Sequence, residues 1–412
     1  MAKIKAFAAI RPKKELTPRI AALPYDVYSR AEAKAEVERE PLSFLKIDRA
    51  ETILGDDVDT YAPEVYQKAH DTLWEMVEKG EFVRDPAPCF YLYELTMQGR
   101  TQTGLVACAS IDDYENGVIE KHENTRADKE EDRIRHVDRC NAQTGPIFLA
   151  YRKNPAMEEL TRKTEQTEPL FDFIGTDGIR HKGYRISQPE EIREIEQIFE
   201  TIPKIYIADG HHRAASAVKV GEMRRAAHPG YDGTEEFNWF LAVFFPDDEL
   251  KILDYNRVVK DLNGLAKDAF LEKVKEKFEV EMRPEPVVCA EKGELGMYLE
   301  DTWYRLKVRP EFTSEDPVEG LDVSYLQREL LGPVLGIRDP KTDGRIDFIG
   351  GIRGLGELER RVQTDAAVAF AMHPTSITEL FTVADAGELM PPKSTWFEPK
   401  LRSGLFLHEI DR

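Results

Sequence analysis

The stretch KIYIADGHHRAASAVKV, residues 204–220, restricts the fold of this 412-residue chain more than any other. Its first five residues form a short, mostly apolar run, which predicts a buried strand. Ala214, Ala217 and Val218 then recur at helical spacing and predict a helix. Because strand-like and helix-like runs alternate along the rest of the chain as well, we expect a mixed α/β (α+β) fold.

The residues between this strand and helix indicate an anion site. A strand that turns into a helix presents free backbone N–H groups at the positive end of the helix dipole. Gly210 permits a sharp turn or close ligand approach, and Arg213 can hold a phosphate or carboxylate bidentately. His211 or His212 would donate a hydrogen bond, and Asp209 would hold a metal or position a hydroxyl. The alternative is that Asp209 caps the helix and both histidines lie on the surface.

Composition limits the partners and the compartment. The net charge of −20 argues against nucleic acid, which demands a basic surface. No window approaches about 18 uninterrupted apolar residues, and the first residues lack the pattern of a signal peptide. We therefore expect a cytoplasmic protein without membrane segments.

The four cysteines are scattered and contain no C-x-x-C pair. This spacing disfavours a structural zinc site, and a disulfide framework is not expected in a chain of this length. Cys108 is interpreted as a small buried hydrophobe, with a catalytic thiol as the weaker alternative.

Local patterns predict several elements and a division of the chain. Ser29 is a candidate N-cap, and residues 60–82 contain an amphipathic helix. Two β-rich runs around a glycine turn predict a hairpin after residue 89, and DFIGTDGIRHKGYRIS predicts another. We expect three segments: an N-terminal α/β segment (1–88), a core (89–225) and a C-terminal α/β region (226–412).

A second candidate stretch is KHENTRADKEEDRIRH, residues 121–136. His122, Glu123 and Arg126 lie in a loop, where they form a plausible cluster for acid/base chemistry and anion binding. Asp128 is a candidate N-cap of the helix that follows. The charged pairs on that helix, including Glu131 with Arg135, are typical of a solvated face.

The third candidate stretch is PPKSTWFEPKLRSG, residues 391–404. Lys393, Ser394, Thr395 and Lys400 would hold phosphate oxygens, although the stretch is not a P-loop. An ordered terminal hairpin with a few lysines is the alternative. Two further polar pairs, Tyr25-Asp26 and Asn256-Arg257, are interpreted as structural.

The segments PYDV, HENT…DR, IADGHHRAASA and PKSTWFEPKL together resemble a bacterial and archaeal family, domain of unknown function 1015. The resemblance spans nearly the whole chain. This family brings no activity that could be carried over.

The DGHHR stretch is also similar to the motif of the ParB–sulfiredoxin superfamily, in which this turn meets nucleotide phosphates. The resemblance implies a ParB/sulfiredoxin-like nucleotide-binding core. Gly210 matches the motif glycine, Arg213 the phosphate-binding arginine, and His212 the histidine that sulfiredoxins and free-serine kinases share. His211 stands where sulfiredoxins carry their reactive cysteine, which excludes sulfiredoxin chemistry. The stretch most resembles the free-serine kinase version.

The function that these patterns imply is phosphoryl transfer from ATP or ADP, with Mg²⁺, to a small hydroxyl metabolite. Free L-serine is the first candidate. The turn residues would hold the phosphates and Asp209 the metal, and Lys393 and Lys400 would close over the phosphates. Glu123 or Asp209 would accept the hydroxyl proton, with His212 also catalytic, and His122 and Arg126 would bind the substrate.

Other functions remain open. They are a nucleotide-hydrolysing switch, a non-catalytic metabolite sensor and a DNA-binding ParB relative, the last disfavoured by the charge. A homodimer is a further expectation.

Overall fold

The computed structural model describes residues 1–411 and confirms the mixed α/β class. The chain forms two compact units. The first comprises Met1–Leu250 and the segment that begins at Pro399, and the second is Lys251–Glu398. The three-segment division with boundaries at residues 88 and 225 stays a prediction.

The strands are β1 (Ile4–Lys5), β2 (Ile10–Pro12), β3 (Phe82–Arg84), β4 (Phe90–Met97), β5 (Arg100–Ser110), β6 (Ile119–Glu120), β7 (Ala142–Gln143), β8 (Ile147–Tyr151), β9 (Phe171–Ile174), β10 (Arg180–Ile186), β11 (Ile205–Asp209), β12 (Trp239–Pro246), β13 (Ile252–Leu253), β14 (Tyr255–Val259), β15 (Phe278–Arg283), β16 (Glu294–Leu299), β17 (Thr302–Val308), β18 (Ile346–Gly350), β19 (Val368–Met372), β20 (Trp396–Phe397) and β21 (His408–Glu409).

The α-helices are α1 (Thr17–Ile20), α2 (Arg30–Arg39), α3 (Leu45–Asp48), α4 (Pro63–Glu78), α5 (Ile111–Glu115), α6 (Ala127–Cys140), α7 (Pro155–Thr164), α8 (Pro189–Glu200), α9 (His211–Ala227), α10 (Lys267–Lys277), α11 (Asp322–Leu326), α12 (Leu355–Thr364) and α13 (Ile377–Asp385). Within residues 1–411, none of the helices has both the length and the apolar character needed to cross a membrane.

A nine-stranded mixed sheet organises the first unit. Along it the strands run in the order β6-β11-β8-β12-β5-β4-β10-β9, and β1 pairs with β5. β11 pairs in parallel with β6 and antiparallel with β8. The carboxyl end of β11, where α9 begins, is held by the pairing of Asp209 with Phe148 of β8.

The core of the first unit lies between this sheet and helices α7, α8 and α9. Each helix contributes apolar side chains that are buried against the strands, among them Leu160, Phe199, Ala214, Ala217 and Val218. The small residues of α9 let that helix approach closely: a Cβ on Gly221 would come 2.6 Å from the Phe237 carbonyl oxygen. The start of α9 is therefore fixed by packing along its length.

An antiparallel six-stranded sheet, in the order β15-β17-β16-β19-β14-β18, organises the second unit. Helix α12 covers it through Leu358, which packs with Val258 and Ala369. β14 lies in the interior of this sheet between β18 and β19. The polar side chains of Asn256 and Arg257 on β14 are consequently buried.

Candidate active site at a strand–helix turn

The predicted anion site lies where β11 ends and α9 begins. Gly210 joins the two elements with a φ of +93°, a left-handed conformation that glycine adopts without strain. Asp209 Oδ1 accepts a hydrogen bond from the Gly210 N–H at 2.9 Å, and no described side chain caps the helix. The first backbone N–H groups of α9 therefore have no partner inside the helix; they belong to His211, His212 and Arg213.

The Arg213 guanidinium lies directly over this turn. A Cβ atom on Gly210 would come within 3.1 Å of Arg213 Nε and Nη2, so glycine leaves the room that the guanidinium occupies. Arg213 Nη1 donates to the Pro146 carbonyl at 2.5 Å, which fixes the far end of the side chain. A cation is thus held beside the open start of a helix, an arrangement that favours anions.

A second cation reaches the turn from residue 400. Lys400 Nζ lies 3.0 Å from Asp209 Oδ2, and the two side chains are 18% and 35% exposed. Burial acts to raise the pKa of Asp209, but the charges of Lys400 and Arg213 outweigh it and lower that pKa below its ordinary value. Asp209 is therefore ionised at neutral pH, and it balances one of the two positive charges.

The histidine that follows the glycine is buried rather than on the surface. The His211 ring meets the His122 ring at a centroid distance of 4.4 Å, nearly at right angles. His122 Nδ1 and His211 Nε2 have no hydrogen-bond partner in the part of the chain that the structure describes. Burial lowers the pKa of His122 to about 4, and burial together with His122 lowers that of His211 well below its ordinary value. Both rings are neutral at neutral pH.

His212 is half-buried and connects the turn to the loop before α6. Its Nε2 accepts a hydrogen bond from the Arg126 N–H at 3.0 Å, so a neutral His212 carries its proton on Nδ1. This contact brings the predicted loop cluster, residues 122–126, next to the turn. The Arg126 guanidinium pairs with Asp128 at 2.9 Å and is 70% exposed, and Glu123 is half-buried.

The predicted N-cap at Asp128 is wrong. Helix α6 begins at Ala127, and its N-cap residue is Arg126. Asp128 lies one residue further on, in the first turn, where it accepts hydrogen bonds from the Arg126 guanidinium. A carboxylate in the first turn also interacts favourably with the positive end of the helix dipole. For this reason an aspartate indicates a nearby helix start even where it is not the N-cap.

A small cleft of about 30 Å³ borders Arg213 in the first unit. In its wall the Arg133 guanidinium lies 4.0 Å from the centre of the Tyr25 ring and pairs with Asp132 at 2.8 Å. The buried carboxylate of Asp48 lines the same wall. Two guanidinium groups and a carboxylate thus line one concave space, which at this size has room for about one or two water molecules.

The sequence interpretation missed this cleft. Tyr25 was assigned a structural role, and Arg133 had none, because the turn after residue 24 and the middle of α6 are far apart in the sequence. Both residues belong to segments of the family pattern, PYDV and DR. That shared membership is the one sequence signal that could have pointed to them.

The remaining predicted phosphate-binding residues, Lys393, Ser394 and Thr395, belong to the second unit. The first unit by itself brings together residues 122–126, residues 209–213 and Lys400. Within residues 1–411, no three His, Cys, Asp or Glu side chains form a group that could hold a metal ion. Asp209 is thus a single carboxylate at the turn rather than part of an all-protein metal cage.

A comparison with models of protein families gives a match over most of the chain. The model of a family described as "Protein of unknown function (DUF1015)" matches residues 4–324. Among curated proteins, no significant match is found.

Several solved structures are similar to this chain over about three quarters of its length. A free serine kinase in complex with AMP is 16% identical, with 75% of this chain and 91% of that chain covered, at a TM-score of 0.37. A mutant free serine kinase in complex with ADP is 16% identical, with 76% and 93% covered, at a TM-score of 0.38. A conserved hypothetical protein from Pyrococcus furiosus is also 16% identical, with 74% and 95% covered, at a TM-score of 0.35.

Proposed function

The chain belongs to the DUF1015 family, whose description assigns no function, and from the geometry of its site we propose that it is a nucleotide-dependent phosphotransferase acting on a small hydroxyl metabolite. Phosphoryl transfer depends mainly on positioning and charge neutralisation, for which the protein needs cations and oriented donors. The turn between β11 and α9 supplies both.

One observation carries this proposal: two cations and the open start of a helix converge on one left-handed glycine. Arg213 lies over Gly210, and Lys400 pairs with Asp209 at 3.0 Å. A structural turn would need at most one of these features. Together they leave net positive charge at a place where backbone N–H groups are also available, which suits the terminal phosphates of a nucleotide.

Different residues of the turn bind different parts of the nucleotide and its metal. Arg213 and the N–H groups that follow Gly210 bind the terminal phosphate oxygens, and Lys400 moves from its carboxylate partner toward them. Mg²⁺ in nucleotide sites is held by one or two carboxylates and by phosphate oxygens, and Asp209 is the carboxylate that would hold it here. When bound, the metal neutralises charge on the phosphates.

The base that accepts the substrate's hydroxyl proton is assigned to Glu123. Asp209 is the alternative, but its low pKa makes it a weak base. Glu123 lies in the loop that His212 joins to the turn. The acceptor binds beside the turn, with His122 and Arg126 as substrate contacts and free L-serine as the first candidate.

Isothermal calorimetry of ADP, ATP and CTP with Mg²⁺ tests the nucleotide site. We expect micromolar binding to the wild type and its loss in Arg213→Ala, because the guanidinium contact to phosphate disappears. Arg135→Ala is the matched control, since Arg135 is exposed and pairs with Glu131 along α6. Binding that survives in Arg213→Ala, or no binding of any nucleotide, would contradict the proposal.

A second measurement addresses the acceptor. We expect nucleotide turnover to require an added hydroxyl compound, with serine tested first, and Glu123→Gln to lower kcat while nucleotide binding persists. Turnover without any acceptor would instead indicate a hydrolytic switch, and binding without turnover would indicate a sensor.

A further inference from the structure

The buried arginines of this protein differ in one respect. They are Arg133, Arg257 and Arg402 among residues 1–411. Arg133 pairs with Asp132, and Arg402 pairs with Asp177. Arg257, which is 3% exposed on β14 of the second unit, forms no ion pair with any described carboxylate.

The hydrogen bonds of the Arg257 guanidinium go to the main chain. Nη1 donates to the Tyr255 carbonyl, and Nη2 donates to the Lys393 carbonyl at 3.0 Å. The Phe348 ring centre lies 5.4 Å away. Carbonyl oxygens and a ring face supply partial negative charge but no full counter-charge.

The acidic residue nearest in sequence does not supply the missing charge. Asp254 accepts a hydrogen bond from Asn256 Nδ2. Burial lowers the pKa of Arg257 to about 10, and the neighbouring Tyr255 is the one titratable group that opposes this effect. A buried cation without a counter-ion is costly, and proteins normally pair such a group. A bound ligand with a negative charge would be the missing counter-ion of the Arg257 guanidinium.

The loop that covers Arg257, residues 391–395, carries a second cation. Lys393 is exposed, and its φ of +62° is unusual for a residue with a side chain. The loop is held in place by Ser394, whose Oγ donates to the Pro391 carbonyl at 2.6 Å and whose carbonyl accepts from Thr375 at 3.0 Å. The fixed loop turns the Lys393 carbonyl onto Arg257, and Lys393 Nζ lies 5.8 Å from the centre of the neighbouring Tyr255 ring.

We propose that the second unit binds a small oxyanion, a carboxylate or phosphate group, at Arg257 and the 391–395 loop, with Lys393 as the second cation. A guanidinium presents paired N–H donors that match the two-oxygen edge of such a group, and a lysine adds a mobile point charge. This site is independent of the phosphotransferase proposal, because it is argued from residues of the second unit alone.

The test uses the full chain carrying Arg213→Ala, so that the proposed phosphate site of the first unit is disabled. Inorganic phosphate and malonate are titrated separately, and binding is followed by calorimetry and by the unfolding temperature. Arg257→Met is added to remove the cation at similar volume. Lys393→Asn removes the second charge with a residue that tolerates positive φ. Arg360→Met, at an exposed arginine paired with Glu357, is the control.

We expect at least one of the two anions to bind and to raise the unfolding temperature. Arg257→Met should weaken that binding by about tenfold or more, as expected when a charge-assisted contact is lost, while the anion-free unfolding temperature stays equal or rises. The anion that binds with the higher affinity, phosphate or malonate, identifies the ligand class. If Arg257→Met does not fold, a loss of binding in Lys393→Asn supports the site and unchanged binding overturns it. Absence of binding by both anions, or binding unaffected by Arg257→Met, also overturns it.

Discussion

Gly210 is the residue on which the geometry of the candidate site depends most. Its left-handed backbone lets β11 turn directly into α9, and its missing side chain leaves room for Arg213. Both demands are visible in the sequence only as a glycine between a strand pattern and a helix pattern. The sequence therefore predicts the turn but not the guanidinium that covers it.

Gly210→Ala tests this double role. We expect a loss of stability of about 1 kcal/mol from the strained backbone, together with weakened nucleotide binding because the new Cβ displaces Arg213. Gly178→Ala is the matched control: Gly178 has a φ of +78° in the same unit, but a Cβ there would meet nothing within 4 Å. Calorimetry and urea unfolding separate the two effects. Equal nucleotide binding in both variants would show that the space above Gly210 is not needed.

Pairings between distant residues could not be predicted. Lys400 and Asp209 are 191 positions apart, and His122 lies 89 positions before its ring partner His211. No local pattern links such residues, since they meet only after the chain has crossed the sheet several times. The residue types at DGHHR were informative because their neighbours in the sequence are also their neighbours in space.

At the scale of single elements, the sequence predicted a helix start and two hairpins correctly where one local pattern was sufficient. Ser29 was predicted as an N-cap, and it forms a full capping box with Glu32 at the start of α2. The two predicted hairpins are β4–β5 and β9–β10. The prediction failed at α6, where Arg126 is the N-cap residue and Asp128 lies in the first turn. The strand order of the sheets could not be predicted, because it depends on pairing across long loops.

Ser29→Ala tests the capping box. We expect the free energy of unfolding to fall by about 1 kcal/mol, since the Glu32 N–H loses its acceptor at the start of α2. Ser187→Ala, at an exposed serine that caps no helix, should change the free energy of unfolding by only about a few tenths of a kcal/mol. Urea unfolding of both variants gives the comparison. Equal effects of the two substitutions would mean that the cap contributes nothing to stability.

At the scale of the whole molecule, buried neutral histidines link stability to pH. His181 is fully buried, and it lies between the Tyr93 hydroxyl at 2.8 Å and the Arg402 Nε at 3.4 Å. Burial, with the charge of Arg402, lowers the pKa of His181 to about 3. An unfolded histidine titrates near pH 6.5, so between these values the unfolded state binds more protons than the folded state.

The free energy of unfolding is therefore unaffected by His181 above about pH 6.5, and it decreases as the pH falls from there towards about 3. His181 alone should account for about 2 kcal/mol of lost stability between about pH 7.5 and about pH 5. His181→Phe should show a smaller loss over the same interval by about that amount, whatever its stability at neutral pH. Urea unfolding at the two pH values measures both proteins. If His181→Phe loses as much unfolding free energy between the two pH values as the wild type does, the His181 ring is not a neutral buried group.

The path of the chain has a consequence for synthesis. The polypeptide leaves the first unit after Leu250 and re-enters it at Pro399, so Lys400 and β21 are made after the whole second unit. A growing chain therefore has its DGHHR turn long before it has the lysine that pairs with Asp209. The ion pair between Lys400 and Asp209 can therefore form only after the whole second unit has been synthesised, and a chain that ends within that unit has a turn that lacks one of its two cations.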